Sequence, residues 1–275
     1  MCQLLGMNCN VPTDICFSFT GFACRGGRTD EHRDGWGIAF FEDKGCRVFR
    51  DYLASSESPV AQLVQHYPIK STNVIAHIRK ATQGQINLAN THPFQRELWG
   101  RYWVFAHNGN LDKLPTLVGK TYQPVGTTDS ELAFCLILEK LRAQFDTEPS
   151  AEVLFQAVSQ HAGELAQLGT FNFMLSNGEW LFVHCTSHLH YLIRRAPFCK
   201  AHLLDEDVTV DFAEVTTEQD QVAIIATQPL TDNENWIALM PGQMIGFMNG
   251  QVCWQAQTLP ETWFEARRQA AKTAA

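Results

Sequence analysis

Apolar residues concentrate in short runs along this chain, and the runs are separated by turn residues. They are rich in Val, Ile, Phe, Trp and Thr and are bounded by Gly, Asn or Pro, which is typical of β-strands. The pattern predicts strands at Gly35–Phe41, Cys46–Arg50, Asn73–Arg79, Tyr102–Asn108, Thr170–Ser176, Trp180–Cys185, His190–Arg194, Gln221–Thr227, Gln243–Met248 and Gln251–Gln255. Asn177-Gly178 and Asn249-Gly250 each lie between two of these strands and indicate two-residue hairpins.

Helical periodicity is less frequent than the strand pattern. It predicts helices at Pro59–Tyr67, Asp129–Gln144, Ala151–Leu168 and Pro260–Ala274. In the second helix Leu132, Leu136, Ile137 and Leu141 share one face, and Thr128 or Asp129 is its N-cap. Many strands with few helices predict an α+β fold in which two sheets pack face to face and helices lie outside them. No linker or repeat divides the chain, so residues 1–275 are expected to form a single domain.

Composition narrows the classes of function. The net charge is −8 and no Lys/Arg block occurs, so a nucleic acid or an anionic membrane is a poor partner. No apolar run approaches the roughly 20 residues that span a bilayer, and no signal peptide begins the chain, so a cytoplasmic location is expected. The nine cysteines are scattered without a C-x-x-C pair, which disfavours a disulfide framework and a zinc site.

Cys2 is the first candidate catalytic residue. A Met followed by a small residue is the usual substrate of methionine aminopeptidase, so the mature chain is expected to begin at Cys2. A terminal Cys carries a thiol with a pKa of about 8.5 and an α-amine with a pKa of about 7.7–8.0. The amine can then act as the general base for the thiol. Cys2 can equally be one more unreactive thiol.

Three further segments carry candidate groups. Arg79 ends an apolar strand, where its guanidinium can grip a carboxylate or form a structural ion pair. Asn108 and Gly109 follow another strand, and their amide N–H groups can form an oxyanion hole, although Asn-Gly is also the commonest turn dipeptide. Asp129 begins a helix, where it can pair with a substrate ammonium or cap the helix.

Together these segments resemble the class II glutamine amidotransferases, whose nucleophile is the N-terminal residue. The resemblance rests on the Met-Cys start and on five motifs in the family's order. These are RDGWG at 33–37, HIRKATQG at 77–84, NTHPF at 90–94, AHNGN at 106–110 and TTDSE at 127–131. The stretch ATQPL at 226–230 is similar to the C-terminal part of the small stand-alone members, so the resemblance covers nearly the whole chain.

The resemblance implies a four-layer αββα sandwich of two mostly antiparallel sheets. It implies that Cys2 is the nucleophile, that Asn108 and Gly109 form the oxyanion hole, and that no metal or organic cofactor takes part. Arg79, assisted by Thr82, would hold the α-carboxylate of glutamine, and Asp129 its α-ammonium. Lys80 and Gln83 stand where members with a synthase domain usually have Trp and His.

The function implied is hydrolysis of the γ-amide of glutamine to glutamate and ammonia through a Cys2 thioester. The ammonia acceptor is left open, and a separate synthase protein is one partner that could supply it. One alternative is a hydrolase of other γ-glutamyl amides or peptides, since the same nucleophile and glutamyl pocket would cleave them. A second alternative is a non-catalytic glutamine-binding or interaction protein. The retention of Cys2, Arg79, Asn108, Gly109 and Asp129 together argues against that second alternative.

Overall fold

The structure is a computed structural model that describes residues 2–81, 84–260 and 262–266. Fifteen strands and four α-helices are defined within these residues. The strands are β1 (Gln3–Thr13), β2 (Trp36–Glu42), β3 (Gly45–Asp51), β4 (Ser71–Ile78), β5 (Phe94–Leu98), β6 (Arg101–Asn108), β7 (Asn172–Ser176), β8 (Leu181–His184), β9 (His190–Arg195), β10 (Lys200–His202), β11 (Thr209–Asp211), β12 (Gln221–Ala226), β13 (Ile237–Ala238), β14 (Gln243–Met248) and β15 (Gln251–Gln257). The helices are α1 (Cys16–Cys24), α2 (Pro59–His66), α3 (Asp129–Gln144) and α4 (Ala151–Ala166), with short 3₁₀ helices at Leu88–Asn90 and Phe212–Glu214.

The strands form two large sheets and one small hairpin. The seven-stranded sheet has the order β13-β9-β12-β1-β4-β2-β3, and the six-stranded sheet has the order β15-β14-β8-β7-β6-β5. Strands β10 and β11 form the hairpin, and every neighbouring pair is antiparallel. Strand β1 is therefore the central strand of its sheet, which fixes the position of the residue just before it.

The two sheets pack face to face around an inner core. Leu4 and Ile75 of the seven-stranded sheet lie in the same buried cluster as Val104 and Met174 of the six-stranded sheet. Alternation along the strands directs these side chains inward, while their sequence neighbours face the helices. A sheet that is covered on both faces needs apolar residues on both, which explains the long buried stretches in β1, β2 and β4.

Two outer cores join the helices to the sheets. Helix α1 places Phe19 against the face of the seven-stranded sheet that carries Leu5. Helices α3 and α4 cover the six-stranded sheet, where Phe134 stacks on Phe105 with ring centroids 5.1 Å apart. The order helix, sheet, sheet, helix confirms the expected α+β fold and its four-layer αββα sandwich.

All ten predicted strands are present, with ends that differ from the prediction by two residues at most. Asn249-Gly250 forms a two-residue hairpin with φ values of 53° and 75°, as expected for a type I′ turn. The prediction at Asn177-Gly178 is wrong, because pairing stops at Ser176 and Leu181 and leaves a four-residue loop. That loop is closed by the Gly178 N–H, which donates to Ser176 Oγ at 3.0 Å.

Helices α2, α3 and α4 occupy the predicted positions, but α3 is buried on nearly all sides rather than on one face. Its N-cap is Thr128, whose hydroxyl accepts from the Glu131 N–H. Of the helix predicted at Pro260–Ala274, residues 262–266 are helical, while residue 261 and residues 267–275 lie outside the described part.

None of the described helices is long and apolar enough to cross a membrane. All nine cysteines are free thiols.

Candidate active site

Cys2 lies immediately before the central strand β1, at the edge where several other strands end. Its thiol contacts the backbone of one residue: the Lys80 N–H donates to Sγ at 3.3 Å, and Sγ lies 3.5 Å from the Lys80 carbonyl oxygen. Burial raises the pKa of the Cys2 thiol, and the Asp129 carboxylate raises it further. The Lys80 hydrogen bond and the Arg79 charge act in the opposite direction. Burial outweighs these two contributions, so the net effect is a raised pKa and a thiol that favours its neutral form.

A small cavity in front of Cys2 collects the predicted site residues. Arg79, Gly109 and Asp129 line it together with the Cys2 side chain, although they come from four separate parts of the sequence. Antiparallel pairing of β1 with β4 brings residue 79 beside Cys2, because Gln3 pairs with Ile78. The end of β6 and the start of α3 supply the opposite wall.

Arg79 follows the last residue of β4 and is buried. Its Nη1 donates to the Gln85 carbonyl oxygen at 3.0 Å. Burial lowers the pKa of the guanidinium, while the Cys2 and Asp34 side chains counteract part of that decrease. An arginine keeps its charge at neutral pH even so, because its ordinary pKa is above 12. The group is therefore a buried cation beside the Cys2 thiol.

Asn108 is the last residue of β6, and its side chain contacts the backbone of Cys2. Asn108 Nδ2 donates to the Cys2 carbonyl oxygen at 2.6 Å, while Asn172 Nδ2 donates to the Asn108 carbonyl oxygen at 2.8 Å. Gly109 follows without space for a side chain, since a Cβ there would lie 1.8 Å from the Thr170 carbonyl oxygen. The dipeptide is not a hairpin turn, because the chain continues past it into a long loop towards α3.

Asp129 is the first residue of α3, and the cap of that helix is Thr128. One carboxylate oxygen of Asp129 accepts from the Leu111 N–H at 2.7 Å, and the other lies 3.5 Å from the Ser130 hydroxyl. A carboxylate in the first turn of a helix is stabilised by the helix dipole. Asp129 consequently presents a fixed negative charge to the cavity that also contains Arg79.

Comparison with known proteins identifies relatives that are similar to most of the chain. A family model described as glutamine amidotransferases class-II matches residues 1–271. The chain belongs to the class II glutamine amidotransferases. It is 53% identical over 252 residues to YafJ of Escherichia coli (strain K12), covering 91% of this chain and 99% of YafJ. A Haemophilus influenzae relative is 56% identical over 251 residues, covering 91% of this chain and 85% of the relative.

Solved structures are also similar to the chain. The crystal structure of a predicted glutamine amidotransferase from Pseudomonas aeruginosa PA01 is 50% identical, with a TM-score of 0.74, and covers 91% of this chain and 98% of that one. The glutamine phosphoribosylpyrophosphate amidotransferase of B. subtilis is 14% identical with a TM-score of 0.59, covering 94% of this chain and 49% of that one. The second likeness shows that the two proteins share a fold.

The RDGWG motif has a structural role that the sequence left unexplained in this class II amidotransferase. Asp34 accepts the Ala81 N–H on its carboxylate at 2.7 Å. The Asp34 N–H donates to the Arg79 carbonyl oxygen at 3.1 Å, and the Arg79 N–H donates to the Gly35 carbonyl oxygen at 2.8 Å. The turn therefore clamps the segment that contains Arg79 and Lys80 against Cys2. An acidic residue between Arg and Gly was the only sequence signal for this role.

Three buried histidines lie behind the cavity. Burial lowers the pKa of His77 to about 3 and lowers those of His92 and His107 as well. His107 Nε2 donates to the Thr170 carbonyl oxygen at 3.0 Å, which leaves Nδ1 to accept from the Ser130 hydroxyl at 2.8 Å. Neutral rings packed in this way orient the neighbouring loops.

Thr82, the predicted assistant of Arg79, lies outside the described residues. Among the residues that the structure describes, no group of three or more His, Cys, Asp or Glu side chains is placed to hold a metal ion.

Proposed function

We propose that this amidotransferase hydrolyses the γ-amide of glutamine to glutamate and ammonia through a thioester on Cys2, after Met1 has been removed. The observation that supports this most directly is the cavity shared by Cys2, Arg79, Gly109 and Asp129. A cation and a carboxylate line this cavity together with the thiol, and that combination of charges complements a free amino acid.

In this proposal the charges of the substrate head group select a free α-amino acid such as glutamine. Arg79 pairs with the α-carboxylate, assisted by Thr82, and Asp129 pairs with the α-ammonium. A substrate that lacks the α-carboxylate leaves the buried Arg79 unpaired, and breaking such a buried pair costs about 3–5 kcal/mol. The γ-amide, at the other end of the side chain, is then presented to Cys2 Sγ.

The chemistry takes place in two steps. The Cys2 α-amine accepts the thiol proton, and Sγ attacks the γ-carbon of the amide. The C–N bond breaks, ammonia leaves with the proton carried by the α-ammonium, and a γ-glutamyl thioester remains. Water then adds to the thioester carbon, the C–S bond breaks, and glutamate and the free thiol are released.

Asn108 and Gly109 stabilise the negative oxygen that forms in each step. Asn108 Nδ2 carries two hydrogens, and only one is needed for its bond to the Cys2 carbonyl oxygen. The second hydrogen and the Gly109 backbone N–H supply the oxyanion hole. Loss of one such donor typically lowers the rate by about 10²–10³-fold.

Intact mass spectrometry before and after incubation with a diazo-ketone analogue of glutamine tests this proposal. We expect a chain without Met1 that gains a single adduct, mapped by peptide analysis to Cys2. Exposed Cys199 and Cys253 are internal controls for nonspecific alkylation. Cys2→Ser should abolish both the adduct and glutamate release. A processed chain that takes no adduct, or labels Cys199 as fast as Cys2, would show that the proposal is wrong.

A further inference from the structure

A second and larger cleft opens beside Cys2, apart from the glutamyl cavity. It has a volume of about 390 Å³ and shares only Cys2 and Lys80 with that cavity among the described lining residues. The rest of its wall comes from the start of β1, the loop around residue 30, and the β8–β9 and β12–β13 connections. The thiol therefore stands between two spaces, one holding Arg79 and Asp129 and one without them.

The size of this cleft does not fit ammonia as its only occupant. A water molecule, which is about the size of ammonia, takes up roughly 30 Å³ of liquid volume. The cleft has room for on the order of ten such molecules and falls in the range of small-molecule sites. An acyl-transfer site with a glutamyl space on one side of the nucleophile binds the amine part of the substrate on the other side.

The lining of the cleft is polar and includes an unsatisfied acceptor. Gln3 is 3% exposed, and its Oε1 has no hydrogen-bond partner among the residues that the structure describes. The oxygen itself is buried, so an amide or amine in the cleft can donate to it only after the Gln3 side chain turns. His190 Nδ1 donates to the Thr227 carbonyl oxygen at 3.1 Å, so its Nε2 is left as a further polar group on this wall.

The outer part of the cleft carries a cation that can change partner. Lys80 Nζ lies 3.1 Å from Glu31 Oε2, with 41% of the Lys80 side chain and 85% of the Glu31 side chain exposed. Exposed ion pairs of this kind contribute only about 0–1 kcal/mol, so a substrate carboxylate can replace Glu31 at little cost. His188 is exposed on the same wall. Asp30 is the one carboxylate among the described residues that line the cleft, so the Lys80 ammonium is the group that favours an anionic end on the ligand.

We propose that this cleft binds the amine half of a γ-glutamyl amide larger than glutamine, an amine that carries a carboxylate, such as an amino acid. The inference rests on the proposed Cys2 chemistry. Cys2 Sγ attacks the γ-carbon, the C–N bond of the amide breaks, and the amine leaves with the proton from the Cys2 α-ammonium. Water then hydrolyses the γ-glutamyl thioester to glutamate and restores the thiol.

Three substrates separate the contributions of size and charge: glutamine, γ-glutamylmethylamide and γ-glutamylglycine. We expect kcat/KM for γ-glutamylglycine to exceed that for glutamine at least ten-fold. Lys80→Met should lower the ratio of kcat/KM for γ-glutamylglycine to that for γ-glutamylmethylamide by about five-fold, as expected for one exposed charge pair. Lys70→Met, which removes another exposed lysine, is the matched control and should leave this ratio unchanged.

A second pair of variants tests the wall of the cleft. His188→Ala should lower kcat/KM for γ-glutamylglycine more than that for glutamine, whereas His66→Ala, on exposed α2 surface, should change neither. If the protein hydrolyses glutamine and its kcat/KM for γ-glutamylglycine is at least ten-fold lower, the inference is overturned and the proposed function stays intact. Equal losses on all substrates in Lys80→Met and His188→Ala would also overturn it. Failure to hydrolyse any of the three would overturn both proposals.

Discussion

Replacing Asp34 by alanine removes the side chain that clamps the Arg79–Ala81 segment beside Cys2. The lost contact is the 2.7 Å hydrogen bond from the Ala81 N–H to a carboxylate. Hydrogen bonds to charged groups contribute about 1.5–3 kcal/mol. At about 1.36 kcal/mol per factor of ten, this corresponds to about 10–150-fold in kcat/KM if the whole contribution serves catalysis.

The structure favours the lower part of that range. Two backbone hydrogen bonds between the same segments, from Asp34 N–H to Arg79 and from Arg79 N–H to Gly35, do not depend on the side chain. They keep the segment docked, while the Lys80 N–H loses its alignment on Cys2 Sγ. We therefore expect Asp34→Ala to lower kcat/KM for glutamine by about 10–30-fold.

The pKa of the Cys2 thiol provides a second measurement. If Asp34 only stabilised the fold, its replacement would leave that pKa unchanged. The Lys80 hydrogen bond lowers the pKa of the Cys2 thiol, so weakening it should raise that pKa. The pH dependence of Cys2 alkylation by iodoacetamide, measured by peptide mass spectrometry with exposed Cys199 as the reference, reports the change. Asp146→Ala, at an exposed aspartate, is the control. A folded Asp34→Ala protein with wild-type kcat/KM and an unshifted Cys2 pKa would refute this reasoning.

Three other outcomes are expected. Asp129→Asn should lower kcat/KM for glutamine about 10²–10³-fold but scarcely affect glutaramate, which lacks the ammonium; equal losses on both would exclude the proposed pairing. Gly109→Ala should lower both Tm and kcat, because its Cβ would lie 1.8 Å from the Thr170 carbonyl oxygen; a wild-type Tm would contradict that close approach. Burial lowers the pKa of His77 to about 3 and of His184 to about 4, so below about pH 6.5 protons bind preferentially to the unfolded chain. The free energy of unfolding from urea titrations should fall between about pH 6.5 and 4 by roughly 1.4 kcal/mol per pH unit for each such histidine, and His184→Gln should reduce that slope.

Local patterns predicted most of the strands but not β1 or α1. Strand β1 contains Asn8, which looks like a turn residue in the sequence. In the structure its Nδ2 donates to Asn73 Oδ1 at 3.0 Å and its Oδ1 accepts from the Gly250 N–H at 2.8 Å. Both partners are remote in sequence, so no local pattern reveals that Asn8 can be buried in a strand. Short strands β5, β10, β11 and β13 carry too few residues for a clear alternation.

Helix α1 shows how tertiary contacts override local propensity. Its sequence, CFSFTGFAC, is rich in residues that favour strands and contains a glycine. The helix packs under the β10–β11 connection, where a Cβ at Gly21 would lie 3.0 Å from a Leu203 methyl group. Glycine is used for that close approach, and burial of Phe19 and Phe22 stabilises the helix.

For the site, sequence patterns identified the side chains that approach Cys2 but not the residues that position those side chains. Arg79 and Asp129 were singled out by charge and position, and the structure brings them to one cavity. The clamp by Asp34 and the cleft lined by Gln3 depend on segments that meet only through the sheet order, which local patterns do not encode. The assignment of individual catalytic and binding roles stays a prediction.

The central position of β1 has a consequence for how the protein matures. One of its two ladder partners, β4, ends at Ile78, but the other, β12, begins at Gln221, so during synthesis one edge of β1 stays unpaired until that residue has left the ribosome. At about 5–20 residues per second, this takes roughly 10–45 s. Throughout that interval the residues around Cys2 are unpaired on that side and open to an aminopeptidase. Trimming of the first residue is therefore expected to be cotranslational, finished before the last strands close over the thiol.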